Sequence, residues 1–416
     1  MEAGGPRKVS LGSGGMLLLA WLLCAGGCAR PPICPTGLPT EAAPMPCRAA
    51  EPGPLVAKVS HLEPAPPAAL SSSSGYCQMN AWECQSSAAA FAPRAARREL
   101  EAVIAGDAAA TRKGARSRLA AVLRELLGLQ VDGERNQAAA QAMELFFALM
   151  EAEQETLRAR RGLDELQAMQ AFIAEAKSKE VAVLTDTTAV ARRQIEMAQR
   201  LDEAERARRH LNDRLRLACG WQPQQPERIW PVADLTVTAE TLDVEAAVAE
   251  GMAQRSDLLQ LRQMLCRLDA DTLPLARALL AQVDGIPSAT TPGLRAWKSD
   301  RDLHLRREQL QHLLAERERA AVVEIADAVT GVELRRRQVW LSHQRVLTWR
   351  ERTAELERQL AAGKASRLEV GQARLEALAA EGLLLHDVIA WKTALVKLAA
   401  AQGSLASESP AAPLPQ

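Results

Sequence analysis

Cysteine, histidine and carboxylate are the side chains in this chain with chemistry to offer, and their spacing decides what they can do. Eight cysteines and six histidines are spread over 416 residues. No CxxC pair and no Cys/His zinc spacing occurs, so no metal site is expected. His61, His210, His304, His312, His343 and His386 form no HExxH pair and mostly stand among charges, as exposed helix residues do. The sequence has no GxSxG, P-loop or GxGxxG pattern, and no cofactor is expected. Carboxylates are plentiful, but they alternate with arginine along helical stretches and so serve as i,i+4 pairs rather than as an acid–base couple. The chain is therefore expected not to be an enzyme. Thiol chemistry remains. On one helix Cys77 and Cys84, in "GYCQMNAWECQ", would lie about 10 Å apart along the axis, too far to bridge. They form a candidate disulfide only if this segment turns, and connectivity among the cysteines stays open.

The N-terminus reads as a targeting segment. Arg7 and Lys8 precede the apolar run "MLLLAWLLC" (Met16–Cys24), which is too short for a stop-transfer helix of about 20 residues. The stretch "LLCAGGC" resembles a bacterial lipobox, in which small residues expose the bond before a cysteine that becomes lipidated. Ala25 stands where the usual Leu would be. Cleavage before Cys28 and lipid attachment at Cys28 are expected, and Ala29 in place of Asp implies sorting to the outer membrane. Cys34, Cys47, Cys77, Cys84, Cys219 and Cys266 would then sit in a compartment where disulfides persist.

The elements that must carry these residues are helical. Hydrophobic residues make up 48% of the chain but aromatics only 3%, with 25% charged, which is the composition of long solvated amphipathic helices. Lys plus Arg and Asp plus Glu are 51 each, so no global field for nucleic acid or anionic membrane exists. The basic stretches "PRAARRE" and "TRKGARSR" fit solvated helix faces. Residues 1–27 are read as the signal peptide. The lipidated N-terminus and tether span 28–76, with eleven prolines between Pro31 and Pro67. A first helical repeat is placed at 77–220, a Pro-rich connector at 221–240, a second helical repeat at 241–403 and a disordered tail at 404–416. Within the first repeat, two shorter helices are expected on either side of Gly106–Gly114. A break is expected at Asp132–Gly133, then a long helical run to Cys219. "VDGIPSATTPGLRAW" (Val283–Trp297) is expected to break the second repeat.

In the late helix Ala321, Ile325, Ala328, Val332, Val339, Val346, Trp349, Leu356 and Leu360 form one alternating three/four seam, interrupted at Arg335, Ser342 and Thr353. Such a seam suits a coiled coil or a helical-bundle core. Both long regions end in Gly after a Leu/Ala run, "LRLACG" at Gly220 and "KLAAAQG" at Gly403, an offset of about 183 residues. At that offset Asp186 faces Glu369 and Glu180 faces Gly363. The fold class expected is all-α, two repeats of a long antiparallel helical hairpin with little or no β. Gly363 marks the second tip, where a helix must end and Gly tolerates a left-handed cap. Ser366 caps the next helix and Glu369 completes a capping box. In the first repeat "KSKEVAVLTDTT" makes the reversal, with Thr185 as its cap.

At this point the chain resembles the outer-membrane efflux protein (TolC) family. "GKASRLEVGQARLEAL" is similar to the family's inner hairpin tip, and "LTDTTAVARRQ" to its weaker counterpart. "GMAQRSDLLQLR" (Gly251–Arg262) is similar to the Arg-Pro-Asp-Leu segment that opens the family's second half, with Ser256 replacing Pro. The resemblance runs from about Met79 to Gly403. It implies a homotrimer whose hairpins form a periplasmic coiled-coil duct for transmembrane transport. Its tips would meet an adaptor and an inner-membrane pump. Gly363, Lys364, Ser366, Arg367, Glu369, Glu180, Thr185 and Asp186 would form those tips. The chain departs from the family at Leu360, where the family has Tyr, and at Ala365, where it has Arg. It also shows no stretches for the β-hairpins that close the family's membrane barrel. Two readings follow: a lipid-anchored duct subunit of an export system, or a coiled-coil lipoprotein scaffold of the same descent without a pore.

Overall fold

The computed structural model describes residues 75–180, 187–222, 227–238, 241–284 and 300–406. All of these belong to the second of two compact units, Gly53–Gln416. The signal segment, Cys28, the tether up to residue 74, Thr185, Asp186, most of the expected break at Val283–Trp297, and the tail from 407 lie outside the described residues. The elements run β1 (Tyr76–Asn80), α1 (Ala81–Phe91), α2 (Pro93–Thr111), α3 (Ala115–Ser178), α4 (Thr187–Ala218), β2 (Arg228–Val232), α5 (Val244–Gln254), α6 (Ser256–Cys266), α7 (Leu273–Asp284), α8 (Asp300–Ala361) and α9 (Arg367–Gln402). No helix among the described residues is long and apolar enough to cross a membrane.

The framework is two long antiparallel hairpins, α3–α4 and α8–α9, with α3 also packed along α9. Helix α3 has 64 residues, a length of about 95 Å. It overturns the expected break at Asp132–Gly133 and absorbs "SRLAAVLRELLGL" as its own first turns. The reason is tertiary. A glycine inside a helix costs about 1 kcal/mol relative to Ala, but a Cβ at Gly133 would stand 2.7 Å from the Ser256 hydroxyl oxygen. Glycine here lets α6 approach α3, so it is a contact residue and not a helix breaker. The division between α2 and α3 falls at residues 112–114, inside the expected Gly106–Gly114 stretch, where Gly114 takes φ +66°.

The repeat is visible in the backbone. Positive φ occurs at Glu180 (55°) and Gly363 (72°), and at Gly220 (79°) and Gly403 (83°), each pair separated by the repeat offset. At three of these helix ends a backbone amide reaches back across the cap: Trp221 N to Arg216 O (2.9 Å), Lys364 N to Gln359 O (2.8 Å) and Ser404 N to Ala399 O (3.0 Å). This bond pattern ends a helix on a left-handed residue.

The main core is shared by α3, α8 and α9. Met143, Phe146, Phe147 and Met150 of α3 meet Ile325, Val332, Val339 and Val346 of α8 and Leu385, Val388, Trp391 and Val396 of α9, with Leu215 of α4. The α8 seam is buried at Ala321, Ile325, Val332, Val339, Val346 and Leu356. Its interruption at Ser342 is satisfied inside the core, where the hydroxyl lies 3.0 Å from the Gln338 carbonyl oxygen and donates to the Asp387 carboxylate. A second cluster joins the start of α3 (Val122, Leu126) to α6, α7 and the start of α8 (Leu310, Leu313).

The connector contributes the small amount of β-structure. β2 pairs in parallel with β1, Cys77 opposite Ile229 and Asn80 opposite Val232. A lone parallel pair is weak by itself. Here buried Asn212 of α4 completes its edge: the side-chain amide donates to Ile229 O (2.8 Å), and its oxygen accepts from Ile229 N (3.2 Å). The start of the folded chain is thereby fastened to the link between repeats. At the other end Leu405, within the expected tail, is buried, and its amide donates to the Asn136 side chain of α3 (3.0 Å).

Candidate docking tip at the helix hairpins

The α8–α9 turn is built by three local devices. Helix α8 ends because Gly363 adopts a left-handed φ that a side chain would resist. Ala365 N adds a second bond to Gln359 O (3.3 Å). Ser366 then caps α9: its hydroxyl oxygen accepts from Glu369 N (3.2 Å), and the Glu369 carboxylate accepts from Ser366 N (2.7 Å). These bonds from Ser366, aided by Arg352 nearby, hold the Glu369 carboxyl below its ordinary pKa. Gly363, Lys364, Ser366, Arg367 and Glu369 are all exposed.

The first hairpin ends beside the second. Lys179 caps α3 and Glu180, also exposed, carries the positive φ; Thr185 and Asp186 lie outside the described residues. Lys179 donates to Glu175 (2.6 Å), which keeps the Glu175 carboxyl below its usual range. The two tips touch. The Arg367 guanidinium stands 5.8 Å from the Phe172 ring centroid of α3, a cation–π distance. Beneath it Leu368 packs with Leu166, Met169, Ile173 and Val190. A Cβ at Gly371 would fall 2.9 Å from Met169 Cγ, so α9 and α3 are in close contact there. Arg374 bridges the hairpins through Glu357 of α8 (2.7 Å) and Glu165 of α3 (3.7 Å), and Arg193 of α4 reaches Glu376 of α9 (3.7 Å). The result is one exposed end surface with alternating charge on a cross-braced apolar base. Sequence reading missed Phe172 and Gly371; an isolated glycine inside "RLEVGQARLE" was the available signal of close helix approach.

The thiols are arranged differently from the expected pairing. Cys77 lies half-buried on β1, where burial and then Glu227 and Glu83 raise its pKa. Cys84 points from α1 into the core and its Sγ lies 4.0 Å from the Sγ of Cys219 at the end of α4. The turn that would have brought Cys77 to Cys84 does not form, because Asn80 starts a helix between them with a capping box on Glu83.

No family model and no curated protein matches the sequence. Solved structures do. The CmeC outer membrane channel of Campylobacter jejuni aligns with a TM-score of 0.53 and 12% identity over 69% of this chain and 67% of its own. The outer-membrane channel OprN gives 0.54 and 13% over 70% and 71%. The open-state MtrE outer membrane channel of Neisseria gonorrhoeae gives 0.51 and 16% over 70% and 71%. The chain has a TolC-like helical-hairpin fold.

Within this TolC-like fold, the segment similar to Arg-Pro-Asp-Leu has a structural task. Arg255 separates α5 from α6. It makes a two-pronged pair with Asp257 (2.9 and 3.1 Å), donates to Glu324 of α8 (2.6 Å) and reaches the Ala401 carbonyl of α9 (3.2 Å). Burial opposes its charge, yet Asp257 and Glu324 hold its pKa above the ordinary arginine value. A Cβ at Gly403 would stand 3.2 Å from Arg255 Cα, so the glycine that ends α9 also admits this junction. The opening of the second repeat and its closing glycine are one contact.

Proposed function

We propose that this chain is a subunit of an outer-membrane export duct. It is exported by its signal peptide, anchored on the periplasmic side through lipid at Cys28, and assembled as a homotrimer. It acts as a passive conduit in an efflux system and has no catalytic role. The tips formed by Gly363, Lys364, Ser366, Arg367, Glu369 and Glu180, with Thr185 and Asp186, contact a periplasmic adaptor beneath which an inner-membrane pump stands. The observation that carries this reading is the pair of long hairpins with adjoining, charged, exposed tips, in a fold like that of outer membrane channels. A rigid scaffold needs no such cross-braced end surface.

A second reading has its own observation. Among the described residues the only strands are β1 and β2, which pair with each other in parallel. Neither is available to an antiparallel membrane barrel. A coiled-coil scaffold lipoprotein without a pore would keep this helical frame and lack the barrel.

Light scattering of the full chain in detergent after gel filtration separates the two. The duct reading expects three copies per particle, and Lys364→Glu with Arg367→Glu should leave that mass unchanged while abolishing adaptor capture. A monomer would overturn the duct and favour the scaffold.

A further inference from the structure

We propose that Cys84 and Cys219 form a disulfide that ties the first helix of the folded unit to the end of the first hairpin. Their sulfurs lie 4.0 Å apart although 135 residues separate them in sequence. Both are enclosed: Cys84 is fully buried and Cys219 is 7% exposed, inside the main core with Ala88, Ala142 and Leu215. The Cys84 thiol also faces the Ala142 carbonyl oxygen of α3 (3.6 Å). Cys77 sits on β1 and Cys266 is exposed at the end of α6, apart from this pair.

The reaction is thiol–disulfide exchange with a disulfide oxidant such as oxidised glutathione or a periplasmic-type dithiol oxidase. Cys219 follows the last residue of α4, next to left-handed Gly220, where a helix end opens most readily. Its thiolate attacks the oxidant's disulfide and one thiol leaves, giving a mixed disulfide. The Cys84 thiolate then attacks the Cys219 sulfur and releases the oxidant's second thiol. Two S–H bonds are lost, one S–S bond forms, and the oxidant's disulfide becomes two thiols. The hydrogen bond from Cys84 lowers the Cys219 pKa, which favours it as the first nucleophile.

The consequence is mechanical. β1 and α1 follow directly on the segment read as the tether, and β1 is already paired to the connector through β2. A bond from α1 to the end of α4 closes a long loop around the whole first hairpin and cross-links its end to the first helix of the folded unit.

The supply of oxidant rests on the export reading, whereas the pairing rests on geometry alone. The purified, reduced full chain is therefore incubated with oxidised glutathione, alkylated, digested and mapped by mass. The expected product is a peptide carrying Cys84 joined to one carrying Cys219, with the thermal midpoint raised by several degrees over the reduced chain. In the Cys84→Ala/Cys219→Ala double variant that redox dependence should vanish. Alkylated Cys84 and Cys219, or Cys84 joined to Cys77, overturns the pairing. A second arm alkylates the chain directly from cells. Pairing in the tube with both thiols reduced in cells would overturn the exported location and leave the geometry standing.

Discussion

Ser366 and Glu369 make the clearest residue-scale case, because each side chain accepts the other residue's backbone amide where α9 begins. Ser366→Ala should cost about 1 kcal/mol locally. Hydrogen exchange should speed up at the amides of the first turn of α9 and stay unchanged at Val388. The Glu369 pKa is lowered on folding, so its contribution is complete above the ordinary carboxylate value and fades as pH falls through the folded one. Protection of those amides should therefore drop in acid before the core loosens. Lys392 is the opposite case. It is 8% exposed, with its ammonium 5.0 Å from the Trp391 ring centroid, and burial lowers its pKa against the weaker pull of Asp234. Burying that charge is unfavourable. Lys392→Met should stabilise the fold at neutral pH by on the order of 1 kcal/mol, read by denaturant unfolding. Because the folded pKa lies below the unfolded value of 10.5, the cost is full below the folded pKa. It disappears as pH rises from there toward 10.5, so the variant's advantage should shrink in alkali.

At the scale of elements, the glycines of α3 divide by what stands opposite them. A Cβ at Gly133 meets Ser256 at 2.7 Å, whereas one at Gly128 meets nothing within 4 Å. Gly133→Leu should push α6 off α3 and cost about 1–3 kcal/mol. Gly128→Ala should stabilise by about 0.5–1 kcal/mol, since only the helix propensity changes. Thermal unfolding of the two variants side by side checks both signs; equal effects would mean that α6 does not press on α3. The "DG" dipeptide invited a turn on local grounds alone, and no local rule carries the information that Ser256 sits across from it.

At the scale of the whole molecule, the two repeats share one core. Phe146 and Met150 come from the first repeat, and Val388, Trp391 and Val396 from the second. A chain ending at residue 222 keeps α3 and α4 but leaves the α9-facing side of α3 uncovered. It should remain helical by far-ultraviolet circular dichroism yet bind a hydrophobic dye and aggregate, while the full chain does not. A soluble, dye-silent first repeat would show that each hairpin buries its own core.

The sequence by itself determined what depends on neighbours along the chain. Helix periodicity set the α8 seam. Gly363, Ser366 and Glu369 set the second tip, because a cap is a contact within a few residues. The repeat offset set Glu180 and Gly220 as partners of Gly363 and Gly403, and the backbone carries left-handed residues at all four. Only the tertiary structure decided the rest. It turned Gly133 from a break into a contact, set Arg367 over Phe172, drew Leu405 onto α3 and gave Cys84 to Cys219. Each of these joins residues far apart in the chain, and their meeting is set by which helix faces fit together in the shared core rather than by the sequence around either one.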